Sequence, residues 1–232
     1  MNISGWIKQS LMDYPGRIAS VVFTQGCNFK CPYCHNPELI AATKGSFDVN
    51  IILSHFRKNR LLLDGVVITG GEPTVQTGLP NFMRQIKELG LDIKLDTNGT
   101  NPQMLKILLR EGLVDYSAID IKSALFLSSY SLNSGINASD KILNNIKESI
   151  NLVIESGIEH EFRTTVCKEL ISISDIDTII NNIEGSQQYY LQQYRPFDTD
   201  KEEKCTFSAY PINELENIIQ RKKSNIKIGI RD

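Results

Sequence analysis

The 232-residue sequence predicts an α/β fold, an incomplete (β/α)6 barrel, and three observations carry that reading. Apolar runs rich in β-branched residues alternate with amphipathic stretches along the chain, the pattern of repeated β–α units around a parallel sheet. Gly90, Gly112 and Gly157 stand at the ends of amphipathic stretches, where a left-handed residue releases the chain into the next strand. Six units are fewer than the eight of a closed barrel, which typically takes ~250 residues, so one side is expected to stay open. A doubly wound open sheet satisfies the same alternation and is the alternative.

In chain order, strands are predicted over residues 18–24, 66–69, 93–97, 117–121, 161–166 and 189–194. Helical periodicity falls between them, over 50–60, 79–89, 102–111, 138–156 and 174–183. Asn101 before Pro102, and Ser174 before Asp175, are plausible N-terminal caps. A polar loop over 198–204 leads to a helix over 212–223 and a last short strand over 226–230. With 41% hydrophobic residues the chain can bury one sizeable core, and no linker or repeat divides it, so residues 1–232 are read as one domain. Twenty-five basic against 27 acidic side chains give a net charge of -2, which draws it to neither nucleic acid nor an anionic membrane. The longest apolar stretches fall far short of the ~20 residues of a membrane helix. With no secretory pattern in the first residues, a cytoplasmic location is expected.

Five cysteines are an odd number, and three of them fall within eight positions, which argues against a disulfide framework and for a metal or cluster site in a reducing compartment. In Cys27-Asn-Phe-Lys-Cys31-Pro-Tyr33-Cys34, three soft thiolates follow directly on the first predicted strand, at the barrel's C-terminal face. A structural zinc site wants a fourth ligand, and the only near one, His35, is too close in sequence to Cys34 to complete the tetrahedron. A cubane cluster on three cysteines leaves one iron open for a ligand that is not protein. Cys167 and Cys205 stand alone, read as a small buried residue and a surface-loop thiol.

Further carriers of chemistry sit at the ends of later predicted strands. Thr69-Gly70-Gly71-Glu72-Pro73 offers two glycines that let backbone approach a ligand and a carboxylate able to accept from an ammonium group. Asp96 and Thr97 close the third strand, Asp120 and Lys122 the fourth, and Arg163 lies in the fifth. Periodicity turns Arg163 inward only if Glu161 and Thr165 face inward with it. Each could instead be a helix cap, a solvated charge or a surface ion pair.

Taken together these motifs resemble the radical S-adenosylmethionine family, in which the open iron of a [4Fe-4S] cluster is chelated by the amino and carboxylate groups of S-adenosylmethionine. The resemblance implies that Cys27, Cys31 and Cys34 hold the cluster, that Tyr33 lies near the adenine, and that the Gly70-Gly71-Glu72 segment meets the methionyl amino group. Within the family the chain is similar to activating enzymes of glycyl-radical proteins. That similarity implies a monovalent cation beside Asp96, Thr97 and Asp120, with Lys122 facing the cofactor and Arg163 on its carboxylate. Asp13-Tyr14-Pro15-Gly16-Arg17, His35-Asn36-Pro37 and 190–196 resemble most closely the anaerobic ribonucleoside-triphosphate reductase activating proteins. Arg195 stands where pyruvate formate-lyase activases place a histidine, so no ribose contact is carried over to it.

The implied chemistry is one-electron reduction by a low-potential donor such as flavodoxin or ferredoxin, followed by homolysis to methionine and a 5′-deoxyadenosyl radical. That radical would take the α-hydrogen of a glycine in a separate reductase protein. Residues 36–69 contain no cysteine, so a single cluster is expected. The alternatives are a pyruvate formate-lyase-type activase, a radical enzyme acting on a small molecule, and an electron carrier, which would want four protein ligands.

Overall fold

The computed structural model describes residues 1–41, 43–196, 207–221 and 225–231. Eight strands form one sheet in the order of the chain: β1 (Ile3–Ser10), β2 (Ala19–Thr24), β3 (Gly65–Gly70), β4 (Asp92–Thr97), β5 (Tyr116–Asp120), β6 (Glu159–Val166), β7 (Gln188–Gln193) and β8 (Lys227–Arg231). β1 runs antiparallel to β2, and every later pairing is parallel. Among the described residues no ladder joins β1 to β8, so the barrel is incomplete, as expected. The six expected units supply β2 to β7, and β1 and β8 extend the sheet at its edges.

The described residues also form seven α-helices: α1 (Val49–Asn59), α2 (Leu79–Lys87), α3 (Pro102–Arg110), α4 (Leu127–Ser134), α5 (Asp140–Ser156), α6 (Ile173–Asn182) and α7 (Ile212–Arg221). Asn101 caps α3 by accepting from the Met104 N–H. The cap of α6 is Ser172 rather than Ser174: Ser172 and Asp175 form a reciprocal capping box, which satisfies two orphan donors where Ser174 would satisfy one. Gly157 takes the left-handed conformation at the end of α5.

The two faces of the strands bury different things. Val22, Val66, Ile68, Ile93, Leu95, Ile119 and Phe162 pack with helix residues such as Phe56, Phe82, Leu105 and Ile146 in the main core. The alternate residues Ala19, Val21, Val67, Tyr116 and Ala118 form a second, smaller apolar cluster inside the barrel, around Tyr14. The Asp13-Tyr-Pro-Gly-Arg17 motif is thereby placed at the barrel floor. Pro15 and Gly16, at φ +69°, make the turn that buries the Tyr14 ring edge-on to Tyr116 at 5.8 Å. Arg17 covers that ring and pairs with Asp92. The motif thus closes the end of the barrel opposite the cysteines. Among the described residues no helix is long and apolar enough to cross a membrane.

Candidate active site

From Thr24 at the end of β2 the chain turns through Gly26, at φ +96°, into the cysteine loop. Three neighbours clamp that loop. The Gly26 and Cys27 N–H groups donate to the Leu39 and Ile40 carbonyls at 2.8 and 3.1 Å. The Asn28 carboxamide is held between Asn98 Nδ2 and Thr100 Oγ1, at 2.8 and 2.7 Å. The Lys30 N–H donates to the Ser134 carbonyl at 2.8 Å, where α4 ends, and the Phe29 ring lies edge-on to Tyr130 of the same helix.

Gly135 follows α4 at φ +65°, and a β-carbon there would stand 1.9 Å from the Lys30 carbonyl oxygen. Gly135→Ala is therefore expected to displace the cysteine loop while leaving the sheet intact. Iron content after anaerobic reconstitution should fall several-fold with helix and strand content unchanged by circular dichroism, at a stability cost of about 1–3 kcal/mol. Wild-type iron loading would contradict the clamp.

Cys27, Cys31 and Cys34 are half-buried and line one cavity of about 210 Å³. Burial pushes the Cys27 thiol up to about 11 and raises that of Cys31, a cost that ends when a soft metal replaces the proton. Among the described residues no three His, Cys, Asp or Glu side chains converge on one metal-ion position. A cubane, with irons at separate corners, takes thiolates that stand apart, so this donor set fits an iron–sulfur cluster. Tyr33 lies on the same cavity with its ring buried, and its hydroxyl has no hydrogen-bond partner among the described residues, a polar atom left for a ligand. Cys167 is fully buried, as expected; Cys205 and the expected 198–204 loop lie outside the described residues.

Across the cavity, Gly70 and Gly71 are glycines by necessity. A β-carbon at Gly70, φ +110°, would meet the Thr24 nitrogen at 2.4 Å, and one at Gly71 the Gly26 oxygen at 2.2 Å. Glu72 is 1% exposed and lines the cavity, but its carboxylate mainly stitches protein to protein. Oε1 accepts from Thr74 N and Oγ1 and from Thr97 Oγ1, at 3.0, 2.5 and 2.6 Å, and Oε2 from Asn98 N at 2.7 Å. Burial raises its pKa, and these donors oppose the rise. Thr97 thus turns to Glu72 and away from Asp96, because successive strand residues point to opposite faces.

Asp96, Asp120 and Lys122 also line the cavity, and Arg163 stands behind the two carboxylates as the bridge between them. Arg163 Nε donates to Asp120 at 2.8 Å, and its terminal nitrogens lie 3.3 Å from Asp96 and 3.7 Å from Glu161. Burial alone would raise both aspartates, but Arg163, with Lys94 at Asp96 and Lys122 at Asp120, outweighs it: Asp96 is lowered, and Asp120 is held at about 2. Glu161 and Thr165 share the inward face, which meets the condition set for Arg163.

Glu161 is 0% exposed and accepts Arg231 on both oxygens at 2.7 Å, with Tyr116 Oη at 2.8 Å. Arg231 in turn lies 3.5 Å from the Tyr190 ring centroid. Sequence reasoning missed Arg231, whose partner is 70 positions away, and assigned no role to the cavity residues Asn98, Thr165 and Gln192, although all three stand in or beside segments it singled out.

The family model for the radical SAM superfamily matches residues 21–179. A Methanocaldococcus jannaschii protein provisionally named a glycyl-radical enzyme activating enzyme is 34% identical, covering 93% of this chain and 89% of its own. The pyruvate formate-lyase-activating enzyme of Clostridium pasteurianum is 26% identical over 96% of this chain and 93% of its own. Streptococcus suis SuiB, solved bound to S-adenosylmethionine, superposes with TM-score 0.66 at 16% identity over 90% of this chain, which spans 48% of that longer one and shares its fold. With a match over more than half its length and the three thiols of an open-iron cluster on one cavity, the chain belongs to the radical SAM superfamily, whose cofactors are a [4Fe-4S] cluster and S-adenosylmethionine.

Proposed function

We propose that this protein is a glycyl-radical activase of the reducing cytoplasm, a single domain whose target is an anaerobic ribonucleoside-triphosphate reductase. The single observation that carries the reading is the shared cavity: three thiols on one wall, with Gly70, Gly71, Asp96, Asp120 and Lys122 facing them at the strand ends. The provisionally named activase from M. jannaschii supports the activase class over nearly full length. The Asp13-Tyr-Pro-Gly16 turn and the cysteine-free stretch 36–69 support the reductase as target.

When bound, the cluster and S-adenosylmethionine supply, for one electron, a carbon radical that takes a hydrogen atom from a C–H bond. The chain's own groups supply position. Cys27, Cys31 and Cys34 would hold the cluster. Gly70 and Gly71 let backbone approach the methionyl amino group, with Glu72 fixing that turn to Asn98. Arg163 and Lys122 favour the cofactor's carboxylate, Asp96 and Asp120 keep both cations aimed, and Tyr33 borders the adenine. The barrel's open side admits a glycine-bearing loop. Anaerobic incubation with reductant, S-adenosylmethionine and either the reductase or pyruvate formate-lyase tests this by paramagnetic resonance. The α-hydrogen doublet of a glycyl radical is expected in the reductase; a signal confined to pyruvate formate-lyase would reassign the target.

A further inference from the structure

The cofactor-facing charges of the cavity come from β4 and β5, and they are already paired with one another or with Arg163. The wall built by β6 and β7 is different. Its cavity-lining residues are Thr165 and Gln192, adjacent in register, both neutral, and neither side chain has a hydrogen-bond partner among the described residues. Gln192 stands one pleat beyond Tyr190 on the inward face, on the strand next to the open edge formed by β8.

A glycine offers no side chain to grip, so aiming its α C–H bond requires holding its backbone. A glutamine carboxamide is suited to that: its oxygen accepts a peptide N–H while its nitrogen donates to a peptide carbonyl. The neutral wall carries no cation for a phosphorylated small molecule. We infer that Gln192, assisted by the Thr165 hydroxyl, binds the backbone amides flanking the target glycine and so sets which C–H bond is presented; this rests on the activase reading.

The test uses reconstituted full-length wild type, Gln192→Leu and Gln192→Glu with S-adenosylmethionine, reductant and purified anaerobic ribonucleoside-triphosphate reductase. Spin-counted glycyl radical is read against 5′-deoxyadenosine released, over a range of reductase concentrations. Two neutral hydrogen bonds correspond to roughly 10- to 30-fold in activation efficiency. Gln192→Leu is expected to lower the ratio of radical to 5′-deoxyadenosine by about that factor and to raise KM for the reductase. Gln192→Glu, which accepts but no longer donates, should fall between. A parallel fall in cofactor cleavage and radical, with the ratio kept, overturns the role and marks a structural residue. Full activation by Gln192→Leu overturns it equally while leaving the activase reading standing. A wild type that makes no radical in the reductase or in pyruvate formate-lyase overturns the activase reading, and the peptide role with it.

Discussion

Replacing any one of Cys27, Cys31 or Cys34 by alanine is expected to abolish both cluster assembly and S-adenosylmethionine cleavage, whereas Cys167→Ala should keep the cluster. The three thiols share a cavity, and among the described residues no group of three Cys, His, Asp or Glu side chains converges as an alternative metal site, so a lost thiolate has no soft substitute. Cys167 is fully buried in the main core and packs there as a small apolar residue. Wild type should take up about four irons per chain, each alanine variant at the loop far fewer, with circular dichroism reporting an intact fold. If Cys167 proved necessary for assembly while packing was preserved by Cys167→Ser or Cys167→Val, the three-ligand account would be wrong.

Arg163→Met is expected to be the most damaging change away from the cysteines. It removes the guanidinium shared by Asp96, Asp120 and Glu161 and leaves them only Lys94, Lys122 and Arg231, and removing one partner of a buried ion pair costs about 3–5 kcal/mol. The pH dependence gives the sign. In wild type the folded pKa of Asp120, about 2, lies below the ordinary value of 3.8. Its contribution is therefore fully present above about pH 4 and is lost as the pH falls through about 2. Without Arg163 the largest charge opposing burial is gone, and with only Lys94 and Lys122 left both aspartates rise relative to wild type, so the variant should be most deficient at neutral pH and approach wild type on acidification. Melting temperatures from pH 3 to 8 check this; a deficit that grows toward acid would contradict it. Cofactor affinity should fall sharply, and Arg163→Lys should recover stability better than affinity, since an ammonium keeps the charge but lacks the planar two-toothed donor.

Arg231 has a related part. Glu161 lies between two guanidiniums, and loss of Arg231 leaves Oε2 to Tyr116 and frees Oε1 to draw Arg163 away from Asp96 and Asp120. Arg231→Met should weaken cofactor binding, and adding Glu161→Gln should restore part of it. A double variant no better than the single would show that Arg231 acts through packing on Tyr190 alone.

What could be read in the sequence is what lies in contiguous motifs at strand ends. The cysteine triplet, Gly70-Gly71-Glu72, Asp96 and Asp120 all announce themselves because local spacing alone places them at one end of a parallel barrel. The segment Ile3–Ser10 escaped because it is an edge strand with Gly5 inside it and Lys8 and Gln9 facing out, so it lacks the alternation that marks a half-buried strand. Helix α4 escaped because Leu-Ser-Ser-Tyr-Ser-Leu-Asn-Ser is poor in helix formers and has little apolar periodicity; it is held by tertiary contacts with the cysteine loop. Thr97 shows the limit of adjacency: next to Asp96 in sequence and lining the same cavity, it spends its hydroxyl on Glu72 and not beside Asp96. Arg231 and Gln192 acquire their meaning only when β7 and β8 are laid beside β6, which no local pattern reveals.

Product analysis of the reduced, reconstituted protein with S-adenosylmethionine bears most directly on the open iron. With about four irons per chain, methionine and 5′-deoxyadenosine are expected in equal amounts, and neither from the Cys27→Ala, Cys31→Ala or Cys34→Ala proteins. A fully loaded, reducible cluster that releases no 5′-deoxyadenosine would contradict the account and make the protein an electron carrier.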